Sequence, residues 1–171
     1  MDAIEAIMTR RSIRKYTKDA VSDELIEKLL GAAMSAPSAG NQQVWRFVVI
    51  TEREILDEIP KYHPHSKMLK DAPLAILVCG DLEAETRKGF WIQDCAAATE
   101  NILIAANALG LGAVWLGVYP REERVVGIKK VLGLPEHIIP LSLIPIGHPA
   151  QNFPPSERFD GSKVHYNGWS K

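Results

Sequence analysis

The run Leu74-Ala75-Ile76-Leu77-Val78-Cys79 contains no polar residue. A strand with one face in water alternates apolar and polar residues, because successive side chains point to opposite sides. An unbroken apolar run of this length instead fits a strand buried on both faces. The chain around it has to cover two sides of one sheet. Its 171 residues are long enough for one domain with a real core.

Helical and extended segments alternate on either side of this run. Residues 2–9 have the spacing of a short amphipathic helix. Ser22 is a natural N-cap, with Asp23 and Glu24 in the positive first turn. Leu25, Ile26, Leu29, Leu30 and Ala33 then recur at helical spacing, which predicts a helix to about Met34 that stops before Pro37. Residues 36–43 (Ala-Pro-Ser-Ala-Gly-Asn-Gln-Gln) are a loop by composition. Strands are predicted over 46–51, 74–79, 113–119 and 141–146, and helices over 52–61, 90–109 and 121–132. Residues 63–70 read as irregular. The whole is an α+β chain of four or five strands with long helices between them. The last 24 residues carry three prolines and no periodicity. They also carry Phe153, Phe159, Tyr166 and Trp169, which predicts packing on the chain's own core or on a second subunit.

Charge excludes several classes of partner. Lys and Arg total 20 against 21 for Asp and Glu, so nothing recommends a nucleic-acid or anionic-membrane surface. The longest apolar stretch, 90–109, is interrupted by Gln93, Asp94, Glu100, Asn101 and Asn107, which argues for a buried helix and against a membrane span. Met1-Asp2-Ala3-Ile4-Glu5 has acids where a leader would be positive. Cys79 and Cys95 lack Cys-x-x-Cys spacing and sit in apolar surroundings, as buried free thiols would. Together these predict a cytoplasmic location.

Against this neutral background, Arg10-Arg11-Ser12-Ile13-Arg14 places three guanidinium groups and a hydroxyl within five residues. Guanidinium forks bind phosphate oxygens two at a time and never lose their charge. A solvated, capped loop would read the same way. Asn41, Gln42 and Gln43 both donate and accept, which suits hydroxyls and carbonyls, or a hydrogen-bonded turn. Val114-Trp115-Leu116-Gly117 ends a predicted strand on glycine, where backbone can approach something flat. His63-Pro64-His65 has no acid or cysteine nearby to complete a metal ligand set. Phosphate-loop, dinucleotide-fold and nucleophile-elbow motifs are missing from the sequence. Taken together, a phosphate-binding, a polyol-binding and a ring-approaching segment correspond to the three parts of flavin mononucleotide. On that reading the protein supplies binding and electrostatics and the cofactor does the redox chemistry.

At these residues the chain resembles the FMN-dependent nitroreductase family. The resemblance rests on Arg10-Arg11-Ser12-Ile13-Arg14-Lys15-Tyr16, on residues 36–43 with Trp45 after them, on Gly110-Leu111-Gly112-Ala113-Val114-Trp115-Leu116-Gly117, and on Ile146-Gly147-His148-Pro149. It implies one FMN-binding domain over residues 1–171 with an α+β, three-layer fold. A mostly antiparallel central sheet would have flanking helices, in an intertwined homodimer with FMN at the subunit interface. It implies that Arg10, Arg11 and Ser12 hold the phosphate and ribityl chain and that Arg14 lies beside the pyrimidine edge. Pro37, Ser38 and Asn41 would reach FMN from the partner subunit, and Leu116 and Gly117 would lie beside the reactive N5 side. Arg158 would be a second phosphate ligand, and Lys67 would approach the ring. Two departures stand out. Val44 replaces a frequent proline, and the chain is too short for the insertions that cover the ring in larger members.

The activity implied is reduction of nitroaromatic, quinone or flavin acceptors with NADH or NADPH, by ping-pong hydride transfer through flavin N5. A flavin carrier without turnover is the alternative.

Overall fold

The computed structural model describes residues 1–154 and 156–169. Five helices and five strands form in the order α1 (Ala3–Thr9), α2 (Asp23–Met34), β1 (Trp45–Ile50), α3 (Arg53–Glu58), β2 (Leu74–Asp81), α4 (Trp91–Ala108), β3 (Gly112–Ala113), β4 (Leu116–Gly117), α5 (Glu122–Leu132) and β5 (Ile138–Gly147) among the described residues. Ser22 caps α2, its side chain accepting from the Leu25 N–H, as expected from the sequence. The helix expected over 52–61 is shorter. Its α-helical part stops at Glu58 and tightens into a 3-10 turn over Ile59–Lys61, because Pro60 lacks an N–H and crowds the preceding turn.

The sheet runs β1-β2-β5-β3, with β4 also on β5, and every strand pairing is antiparallel. The apolar run lies in β2 and is buried throughout. Its alternation divides the core in two. Leu74, Ile76 and Val78 join Leu29 of α2 and Cys95, Ala98 and Ile102 of α4. Ala75, Leu77 and Cys79 join Leu56 of α3 and Ile128 of α5. The sheet is the middle of three layers, as a strand without a polar face requires. Both cysteines are free and buried, and burial pushes the Cys79 thiol up to about 12.

The strand expected over 113–119 is split. β3 and β4 pair with β5 in one continuous register, but Val114 and Trp115 fall between them. That register sets Val114 opposite Pro145, which has no N–H for a ladder. The Pro145 carbonyl instead accepts from the Tyr16 hydroxyl, 3.2 Å away. Opening the ladder here leaves Trp115, Leu116 and Gly117 on the wall of a cavity.

Candidate functional site

The basic loop is laid along the sheet edge by two buried side chains, Ile13 and Tyr16. Ile13 donates its N–H to the Ala113 carbonyl (2.9 Å) and packs on Gly112, where a Cβ would come 2.5 Å from its Cγ2. The Tyr16 hydroxyl lies 2.6 Å from the Ile13 carbonyl oxygen, which closes the loop on itself. Thr17 N–H donates to the His148 carbonyl, and Ala150 N–H to that of Lys15.

The charged residues of this loop do not all point the same way. Arg14 is exposed and reaches the Ser12 carbonyl only at a long 3.5 Å. It faces a cavity of about 550 Å³ together with Lys67, Trp115, Leu116 and Gly117. Arg10 reaches the other way, to Glu100 of α4 at 3.3 Å. Arg11 turns back on its own backbone, donating to the Met8 and Arg10 carbonyls (3.0 and 2.8 Å). It lines a different recess, with Asn152 and Phe153.

The far wall of the larger cavity is built from His63 and Arg124. Both donate to the Gly117 carbonyl, His63 through Nε2 at 2.9 Å and Arg124 through Nη1 at 2.8 Å. His63 is 1% exposed. Burial lowers its pKa, and the Arg124 charge adds to that, so the ring is neutral at pH 7. His63 Nδ1 and Arg124 Nε are buried without a partner. Arg14, Lys67, His65 and Arg124 line this cavity, and no carboxylate among the described residues does. Its size is that of a site for a drug-sized ligand.

Pro37 and Ser38 line a separate cavity of about 390 Å³ with Phe90, Gln93 and Asp94. Their loop is strained. Gly40, Asn41 and Gln43 all take left-handed φ, at 58°, 56° and 48°. Asp94, buried in the first turn of α4, holds it. One carboxylate oxygen accepts from Ala39 N–H (2.9 Å) and the other from Gln42 Nε2 (2.7 Å). The Gln42 side-chain Oε1 accepts from Thr86 and Arg87 N–H, and Gln43 Nε2 donates to Asn41 Oδ1. Two of the three amides therefore serve the loop itself. Ser38 Oγ also accepts from Gln43 N–H at 3.1 Å.

Of the residues singled out from sequence, Arg14, Lys67, Leu116 and Gly117 share one cavity. Pro37 and Ser38 line the second. Arg158 is exposed on the tail and lines neither. Asp94, His63 and Arg124 were missed as site-building groups. An acid among the apolar positions of a long helix was the available signal for Asp94. For Arg124 there was none.

The fold and sequence are similar to those of known proteins. A model of the nitroreductase family matches residues 7–67 and 59–148. A Methanothermobacter thermautotrophicus protein, provisionally named NADH dehydrogenase/NAD(P)H nitroreductase, is 53% identical over 99% of this chain and 88% of its own. Two crystal structures superpose on the fold. One is a protein from Clostridium acetobutylicum provisionally named NADH oxidase, with 45% identity and TM-score 0.92 over 98% of this chain and 100% of that one. The other is a provisionally named nitroreductase from Desulfovibrio desulfuricans in complex with FMN, with 35% identity and TM-score 0.85 over 99% of each chain. The chain belongs to the nitroreductase family.

Proposed function

We propose that the protein is an NAD(P)H-dependent FMN oxidoreductase that reduces nitroaromatic, quinone or flavin-type acceptors. The observation that carries this reading is the cavity of about 550 Å³ between the basic loop and the glycine-ended strand, lined by cations and, among the described residues, by no carboxylate. A planar, anionic ligand fits that donor set, and one buried N–H on its wall, Arg124 Nε, still lacks an acceptor. Arg14 would lie at the pyrimidine edge, where a fixed cation stabilises the negative charge of the reduced state. Leu116 and Gly117 would offer backbone to the reactive side, and Arg10, Arg11 and Ser12 would serve the ribityl phosphate, with Arg158 as a further ligand. FMN, when bound, supplies the hydride-accepting and hydride-donating ring, so no side chain has to act as an acid or base. Nicotinamide and acceptor would take turns at one open face, which predicts parallel double-reciprocal plots.

Pro37, Ser38 and Asn41 belong to a loop away from the Arg14 cavity within one chain. A homodimer in which that loop completes the partner's site would bring the two together. Ile4, Ile7 and Met8 of α1, and Phe159, Tyr166 and Trp169 of the tail, are exposed apolar side chains. Burying these two groups of side chains against a second copy would supply the apolar area of such an interface. No helix among the described residues is long and apolar enough to cross a membrane. The two buried free thiols fit the reducing cytoplasm we assign it.

The deciding measurement is the visible absorption spectrum of the purified protein before and after anaerobic NADH. Flavin bands that bleach support the reductase. Bands that persist with both NADH and NADPH make it a carrier. A protein that neither holds nor takes up FMN overturns the reading.

A further inference from the structure

We propose that His63 and Arg124 are positioning residues for the flavin site, holding the Gly117 carbonyl so that the Leu116–Gly117 backbone faces the ligand in one fixed orientation. This rests on the flavin reading above.

Three observations carry it. First, the Gly117 carbonyl takes two side-chain donors, at 2.9 and 2.8 Å, from different elements: His63 follows the 3-10 turn after α3, and Arg124 lies in the first turns of α5. The N–H of the same peptide unit, that of Val118, donates to the Leu141 carbonyl at 3.0 Å. The plane after Gly117 is thus pinned at both ends. A glycine with no side chain to lock it, at the end of a two-residue strand, otherwise has the freedom to rotate. Second, both donors line the same cavity as Arg14 and Gly117, so the clamp is part of its wall. Third, His63 Nδ1 and Arg124 Nε are left buried and unpaired. Buried polar groups are nearly always partnered, and an exception costs stability. Two exceptions on the two residues gripping one carbonyl are hard to explain as fold stabilisation. Arg124 also sets a fixed positive charge beside Gly117, where a reduced, negatively charged ring would feel it.

The test uses the FMN-loaded protein with four variants. His63→Leu removes a donor, and Arg124→Gln removes the charge and, being two bonds shorter than the Arg124 Nη1 reach, the contact to the Gly117 carbonyl. His63→Gln keeps an N–H of similar reach, and Arg124→Lys keeps the charge. Midpoint potential, FMN affinity, and kcat and KM for NADH are read together with thermal stability. His63→Leu and Arg124→Gln are expected to lower kcat about tenfold or more with KM for NADH nearly unchanged, as misplacement of a reacting group does. Arg124→Gln is also expected to lower the midpoint potential. His63→Gln and Arg124→Lys should recover most of each loss. In the FMN-free wild-type protein, ring 15N shifts should report the Nε2–H tautomer of His63. Wild-type kcat and potential in both donor-removing variants overturn the proposal, as does a loss confined to stability, or an Nδ1–H tautomer. Failure of the wild-type protein to bind FMN at all would instead overturn the flavin reading and this one with it.

Discussion

Arg10 meets two demands. Its guanidinium already faces Glu100 at 3.3 Å, yet it is proposed to serve a phosphate. The pair is partly exposed, and exposed ion pairs contribute about 1 kcal/mol at most. Arg10→Ala should therefore change stability by less than about 1 kcal/mol while weakening FMN binding by roughly 1.5–3 kcal/mol. A fluorescence-quenching titration checks this, and an unchanged affinity removes Arg10 from the site. Asp94 works the other way, through the fold. Its two oxygens satisfy Ala39 N–H and Gln42 Nε2 in a strained loop. Asp94→Ala leaves two part-buried donors unpaired and should cost about 1 kcal/mol or more in denaturant unfolding. These two residues also mark what was legible. Arg10, Ser12 and Arg14 are neighbours in sequence, so that they share one loop could be read directly, but not that Arg10 turns to Glu100 while Arg14 faces the cavity. That Arg11 folds back on Met8 depends on its side-chain direction, and that Gln42 is consumed by Asp94 depends on a contact 52 residues away in sequence.

At the scale of elements, periodicity and caps located the helices, and the wholly apolar strand required both layers. The failures involve proline. Pro60 shortened α3, and the β3–β4 break falls opposite Pro145, which no pattern within 113–119 itself could reveal. Glycines offer a sharper comparison. In α2, a Cβ at Gly31 would meet nothing within 4 Å. Gly31→Ala should stabilise by about 0.5–1 kcal/mol, the ordinary helix-interior gain. In α5, a Cβ at Gly127 would lie 2.4 Å from Cγ of the Tyr62 ring. Overpacking costs about 1–3 kcal/mol, which outweighs the same propensity gain, so Gly127→Ala should destabilise. Urea titrations of the two variants should move in opposite directions. Stabilisation by both would mean that Tyr62 moves aside freely.

For the whole molecule, stability should depend on pH through His63. Its folded pKa lies below the ordinary 6.5, because burial and the Arg124 and His65 charges disfavour the imidazolium. As pH falls through about 6.5, the unfolded chain takes up a proton that the folded one refuses, so stability is lost progressively towards the folded pKa. Thermal midpoints from pH 8 downward should show this slope in the wild type and a flatter one in His63→Gln. Assembly is the last property of the whole. Phe159, Tyr166 and Trp169 were expected to pack on the core or on a second subunit. They are 89%, 86% and 84% exposed on this chain, while the Ala150 N–H holds the start of the tail to Lys15. If they dock on a second copy, their burial there adds stability that grows with protein concentration. Deleting residues 151–171 should then convert a dimer to a monomer in light scattering, abolish the concentration dependence of Tm, and weaken FMN binding, since Arg158 and the partner's loop are lost together. A truncated protein that stays dimeric would move the contact to the exposed Ile4, Ile7 and Met8 face of α1. FMN affinity in that dimer would then report on Arg158 alone.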